Sequence, residues 1–239
     1  MSTSTHRGLK AVLTTTLATA GLAVLPATVS PAAAAEQAAT MHSFLETELL
    51  DVHEYWTRHQ AAVNGPATSV NYTFPLPGQV VASACQYSND DSMFYCGNDD
   101  HIVFSQDLAG RLWNGAYQAN GGNHTGKVAG DAAVSLMVAH EYAHNVQHEN
   151  GILTAGYPSI NTELHADCWA GVWMHDSWRS GELEGTDVEE ATAVMERVGD
   201  DTAPYTHGTP EQRAYAFRYG YDAGTPGACE AILRTVWTR

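Results

Sequence analysis

His140-Glu141-Tyr142-Ala143-His144, followed nineteen residues after the second histidine by Glu163-Leu164-His165-Ala166-Asp167, decides how this chain is read. On a helix each residue advances about 100°, so residues four apart lie within roughly 40° of one another, one turn along the axis. The imidazoles of His140 and His144 can therefore close on a single ion. Glu141 lies about 100° round from His140, off the line joining the two histidines. That is poor for ligation and suited to reaching a water on the ion, the position of a general base. A catalytic zinc site takes three protein ligands and keeps one position open, and two histidines with one carboxylate is an established set. Glu163 is the expected third ligand.

The second segment obeys the same geometry. Asp167 is four residues from Glu163 and shares its helix face, whereas His165 lies about 200° round and Cys168 about 140° round. Asp167 is thus expected behind the metal, accepting the free ring N–H of a ligating histidine and fixing its tautomer. His165 and Cys168 are expected to face away. A bare HExxH also arises from ordinary helix packing, and it is the downstream acidic pair that sharpens the reading. His53-Glu54 begins a similar pattern but has Thr57 where the second histidine belongs, so His53 reads as a helix-surface residue.

Residues 1–35 read as a secretory signal peptide. Arg7 and Lys10 form a basic start, Ala11 to Leu25 is apolar but short and interrupted by threonines, and Ala33-Ala34-Ala35 offers small residues for cleavage. No cysteine follows that site and no twin arginine precedes it, so a lipid or membrane anchor is the weaker reading. The expectation is export, extracellular location and no stable membrane insertion after cleavage. Of 239 residues, 35 removed leaves 204, read as one domain, residues 36–239. The formal charge falls from −16 to −18 once Arg7 and Lys10 are gone, which makes nucleic acid and anionic membranes poor partners.

Four cysteines in an exported chain imply two disulfides and allow three pairings. Cys85 and Cys96 bracket the polar turn Ser88-Asn89-Asp90-Asp91-Ser92 and are paired on that ground, leaving Cys168 for Cys229. Cysteine ligation of the metal is the alternative, weakened by the helical angle of Cys168.

Along the chain, residues 36–62 read as a helix with Phe44, Leu45, Leu49, Val52 and Trp56 on its buried face. Residues 64–84, rich in glycine and proline among valines, read as extended or loop. His101 to Ser105 is a strand candidate, with Ile102 to Ser105 the edge that would receive an extended substrate. Gly121 to Gly126 reads as a surface loop, with a lid as the alternative. Asp131 is expected to cap a buried helix reaching Gln147, and Gly151 to stop it. Asn161 is expected to cap the Glu163 helix, which continues through Trp169, Val172 and Trp173. A helix is expected over 187–198, and Thr209-Pro210-Glu211-Gln212 announces another with a capping box. His207-Gly208, just before it, supplies a candidate donor for a developing oxyanion, with Tyr205 the weaker candidate. Arg213 reads as an anchor for that loop rather than a substrate contact.

At these residues the chain resembles the bacterial neutral zinc metallopeptidase family. The resemblance rests on Ala139 to Gln147, on Glu163 to Trp173, and on Gly199-Asp200-Asp201 with His207 to Arg213. Phe94-Tyr95-Cys96 is a further element, so it spans roughly residues 80–230. Asn145 stands where the family often has a third histidine, and His165 where it often has glutamine. The resemblance implies a mainly helical α+β, zincin-like fold, gluzincin-like in its downstream glutamate, with a small sheet packed on the metal-binding helix. It also implies peptidase activity.

The expectation for function is a secreted zinc metallopeptidase acting on peptide or protein substrates, with Zn2+ held by His140, His144 and Glu163. Glu141 is its general base, and His207 assists at the oxyanion. Two alternatives stay open: a non-catalytic secreted protein that keeps the metal for structure, and a zinc hydrolase of a non-protein amide.

Overall fold

The two helices that carry the HExxH segment and the downstream acidic pair pack directly against each other. The computed structural model describes residues 31–116, 130–200 and 206–238. The expected leader falls almost entirely outside them, as do the Gly121 to Gly126 loop and Tyr205.

The chain runs α1 (Pro31–Val63), β1 (Asn71–Thr73), β2 (Met93–Cys96), β3 (His101–Phe104), α2 (Gln106–Trp113), α3 (Asp131–Glu149), α4 (Ser159–Ser180), α5 (Asp187–Val198), α6 (Pro210–Ala223) and a terminal 3-10 segment (Pro226–Arg234). It is a mainly helical α+β protein with one small mixed sheet. Among the described residues no helix is long and apolar enough to cross a membrane.

Leu45, Leu49, Val52 and Trp56 put one stripe of α1 into the core, where Trp56 meets Trp169 of α4 with ring centroids 4.7 Å apart. Residues 132–143 of α3 are all buried. A helix apolar nearly all round must be enclosed, and here α1, α4, α5 and the sheet enclose it.

The sheet order is β1-β3-β2, with β3 parallel to β1 and antiparallel to β2. This corrects the edge-strand expectation. β3 is paired on both sides, as its unbroken apolar run Ile102-Val103-Phe104 fits. The edge is β2.

Two glycines bring α4 and α6 into backbone contact. A Cβ on Gly171 would strike the Phe217 carbonyl, and one on Gly220 the Cys168 carbonyl. That approach carries the first turn of α6 onto the face of α4 that bears Asp167. Thr209 caps α6 with a complete capping box, its hydroxyl accepting from Gln212 N while the Gln212 side chain accepts from Thr209 N.

Two cap expectations are corrected. Gly130, not Asp131, precedes α3, and Asp131 is the first helical residue, where its charge favours the helix dipole. Asn161 lies inside the first turn of α4 and gives its amide to the carbonyls of Ile232, Leu233 and Thr235, pinning the C-terminal segment. The same segment is tied by the Cys168–Cys229 disulfide, and Cys85–Cys96 ties the turn to β2.

Candidate metal centre

One turn of α3 separates His140 from His144, and their Nε2 atoms face each other 3.2 Å apart. Glu163, in the first turns of α4, reaches both: Oε2 lies 3.3 Å from His140 Nε2 and Oε1 lies 3.5 Å from His144 Nε2. All three donor atoms fall within 4.8 Å of one another, the span of a single cation's ligand shell. His165 and Cys168 are not among them.

Behind the histidines the two ring Nδ1 atoms meet different partners. His140 Nδ1 lies 2.8 Å from Asp167 Oδ1. Asp167 also receives Arg213 Nε at 2.8 Å and Arg213 Nη2 at 2.7 Å, while Arg213 Nη1 donates to the Val198 carbonyl at 3.2 Å. Arg213, expected to anchor the loop before α6, instead ties the end of α5 to Asp167 and locks that carboxylate. His144 Nδ1 lies 2.9 Å from Gln147 Oε1. With an acceptor at each Nδ1, each ring in its neutral form carries its proton there and turns the Nε2 lone pair towards Glu163.

Two imidazole lone pairs 3.2 Å apart, joined by a carboxylate, form a donor set that repels itself unless a cation or protons sit among them. The titration of the metal-free groups follows. Burial pushes His140 down, but the charge of Asp167 and hydrogen bonds to Asp167 and Glu163 outweigh it and raise it to about 9. His144 is raised against burial by Glu163. Burial opposes ionisation of Glu163, yet the two histidines hold it well below the usual carboxylate range. Nitrogen and carboxylate donors of this kind suit zinc.

The centre floors a cleft of about 310 Å3 whose walls include Met93, Phe94 and Tyr95 of β2, Leu108 of α2 and Met137 of α3. Glu141 lines the same cleft and is buried. His207 stands at the rim with its side chain 51% exposed. Asp200 holds it, accepting from His207 N at 2.8 Å and lying 3.2 Å from its Nδ1.

A model of the family described as "Putative neutral zinc metallopeptidase" matches residues 9–232. The chain belongs to this zinc metallopeptidase family. The match takes in residues 9–80 as well, which corrects the narrower span expected, so α1 and β1 are part of the family's chain. Similar proteins include Uncharacterized protein YpfJ of Escherichia coli K12, 34% identical over 131 residues, covering 45% of this chain and 46% of that one. Uncharacterized protein Rv2575 of Mycobacterium tuberculosis H37Rv is 31% identical over 194 residues, covering 67% of this chain and 63% of its own. The chain thus spans about half to three fifths of the length of these relatives. No solved structure matches it.

Several residues around the family's centre were not marked by the sequence pattern. Gln147 is three residues after His144 and so on its helix face, a signal that was available. Asp200 belongs to the Gly199-Asp200-Asp201 element of the resemblance, but its hold on His207 was not readable, since that partner is seven residues away across a loop. His53, read as a surface residue, is half-buried and lies 2.6 Å from the Tyr142 hydroxyl. Far along α3, Asp131, Asp187 and Glu190 also approach within 4.8 Å, without a histidine among them.

Proposed function

We propose that this chain is an exported zinc peptidase of zincin-like arrangement. The observation that carries the reading is the convergence of His140, His144 and Glu163 at the floor of a cleft that also holds Glu141. A zinc ion bound by those three residues supplies Lewis acidity, acidifying water and polarising a carbonyl.

The remaining steps belong to side chains. Glu141, buried beside the ligands but not one of them, accepts the proton of the attacking water and returns it to the leaving amine. His207, held through its Nδ1–H by Asp200 at the rim, acts in its doubly protonated form and presents Nε2–H to the oxygen on which charge develops. Strand β2 orients an extended substrate. Ser105 N donates to the Ser92 carbonyl, which places the paired rungs of the β2–β3 ladder at 92, 94 and 96 by the alternation of antiparallel strands. The backbone groups of Met93 and Tyr95 therefore point outward along an edge that no strand among the described residues pairs with, beside the cleft both residues line. The apolar start of the chain and the two disulfides support export.

The test is Glu141→Gln. Incubated with a peptide mixture and read by mass spectrometry, the wild-type protein should cleave, whereas the variant should hold one zinc and leave the peptides intact. Cleavage by the variant at the wild-type rate would overturn the mechanism.

A further inference from the structure

We propose that Gln147 is a positioning residue that sets the tautomer and tilt of His144, acting as a neutral counterpart to the charged Asp167 behind His140. The inference rests on the metal-centre reading above.

The hydrogen bonds of the Gln147 amide leave it one orientation. Its side chain is fully buried, with one end 2.8 Å from the Thr162 carbonyl and 3.0 Å from His165 Nδ1, and the other 2.9 Å from His144 Nδ1. The Thr162 carbonyl can only accept, so the end facing it must be the NH2. Reversing the amide would set two oxygens against each other in a buried site. Gln147 Oε1 therefore faces His144 Nδ1 as an acceptor. His144 must carry its proton on Nδ1, and its Nε2 lone pair is left for the cation.

The second amide proton goes to His165 Nδ1, which must then be bare, with the proton on His165 Nε2. That nitrogen is buried and has no hydrogen-bond partner among the described residues, the mark of a ring whose orientation is set by what its other nitrogen must do. The His165 ring is further fixed by packing on Trp169, with centroids 4.1 Å apart. The helical angle that turns His165 away from the metal is the one that turns it onto Gln147. His165 thus reaches His144 through one intermediate. The two ligand histidines are held by unlike arms, one anionic and locked by Arg213, one neutral and locked by Thr162 and His165. The neutral arm orients its ligand without adding a further negative charge beside Glu163, Asp167 and Glu141.

The test compares zinc dissociation constants, by competition with a chelator, for the wild-type protein, Gln147→Met and Gln147→Glu. Both variants lose the amide donor to Thr162 and His165, but only Glu keeps an acceptor for His144 Nδ1. Gln147→Met should bind zinc about 10–100-fold more weakly and Gln147→Glu within about threefold of wild type. The cobalt-loaded Met variant should also show a shifted visible spectrum. Equal affinity in all three proteins, or an equal loss in both variants, would overturn the proposal, the second outcome marking Gln147 as a plain tether between helices. Should Gln147→Met fail to fold, the ring 15N spectrum of the zinc-loaded wild-type protein takes its place: a proton on His144 Nδ1 with Nε2 bound to the metal supports the arm, and metal bound through Nδ1 overturns it. Glu163→Ala serves as the control on the centre itself. If that variant binds zinc as well as wild type, the metal-centre reading has failed rather than this one.

Discussion

Asp167 Oδ1 lies 2.8 Å from His140 Nδ1 and 2.7 Å from Arg213 Nη2, so one buried carboxylate oxygen serves a ligand histidine and a guanidinium together. Burial works against the Asp167 charge, but Arg213 and then His140 hold its carboxyl below the usual range. Removing that charge leaves Arg213, itself 3% exposed, without its counter-ion. Asp167→Ala is therefore expected to cost about 3–5 kcal/mol of stability in urea unfolding of the zinc-free protein. It should also weaken zinc by about 10–100-fold. Asp167→Asn keeps an acceptor for His140 and should lose less zinc affinity than Ala while losing comparable stability. Wild-type stability in both variants would contradict the lock.

Zinc uptake should expel protons. His140 in the metal-free protein is raised to about 9, burial being outweighed by Asp167 and Glu163. Below that value the ring holds a proton that ligation must displace, so zinc affinity should climb as pH rises from about 6 towards 9 and flatten above. Calorimetric titration at about pH 7 in buffers of different ionisation enthalpy measures the release directly. An affinity independent of pH over that window would count against the assignment.

His207 stands apart from the ligands, so its removal should separate chemistry from metal binding. His207→Phe is expected to lower kcat by about 100–1,000-fold with zinc content unchanged. Asp200→Asn, which weakens the hold on the ring, should give a smaller loss in the same direction. Steady-state kinetics on a cleaved peptide, beside metal analysis, decide both.

What was legible in the sequence was local. The ligand helix, the capping box at Thr209 and the 187–198 helix are written in spacings of three and four residues, and the structure forms those elements at those places. The order of the sheet was not, because strand pairing is long-range. The parallel match of Asn71 with His101 joins segments thirty residues apart, and only the unbroken apolar run of β3 hinted at a strand covered on both sides. Asn161 carries the residue type of a cap and sits near a helix start, yet its amide is spent on carbonyls more than seventy residues away. Arg213 looked like an anchor because its own helix says nothing of Asp167. Their meeting depends on Gly171 and Gly220 letting α4 and α6 touch.

The Cys168–Cys229 bond closes a separation of 61 residues, and on the chain-entropy account its removal costs about 4 kcal/mol. Replacing both cysteines by serine should lower the unfolding free energy by about that amount. Because Cys168 follows Asp167 directly, the loss should extend to the holding of His140, and zinc affinity should fall as well. A reduced-stability variant with unchanged zinc affinity would show that helix packing alone fixes Asp167.

A last prediction concerns the far end of α3, away from the metal. Burial, then the charges of Asp51, Asp131 and Glu182, raise Glu48 to about 7 from an ordinary 4.5, with a hydrogen bond from Ser135 the opposing influence. Between those two values the folded protein holds a proton that the unfolded chain has released. Stability must therefore fall as pH rises from about 4.5 through 7, and above that the full cost is present. Discounted for its partial exposure, the shift corresponds to about 1–3 kcal/mol. Glu48→Gln keeps a polar group within reach of Ser135 and never acquires the charge. It should exceed wild type in urea-unfolding stability by that margin at about pH 8 and match it at about pH 4. An equal difference at both pH values would mean that packing rather than ionisation separates the two proteins.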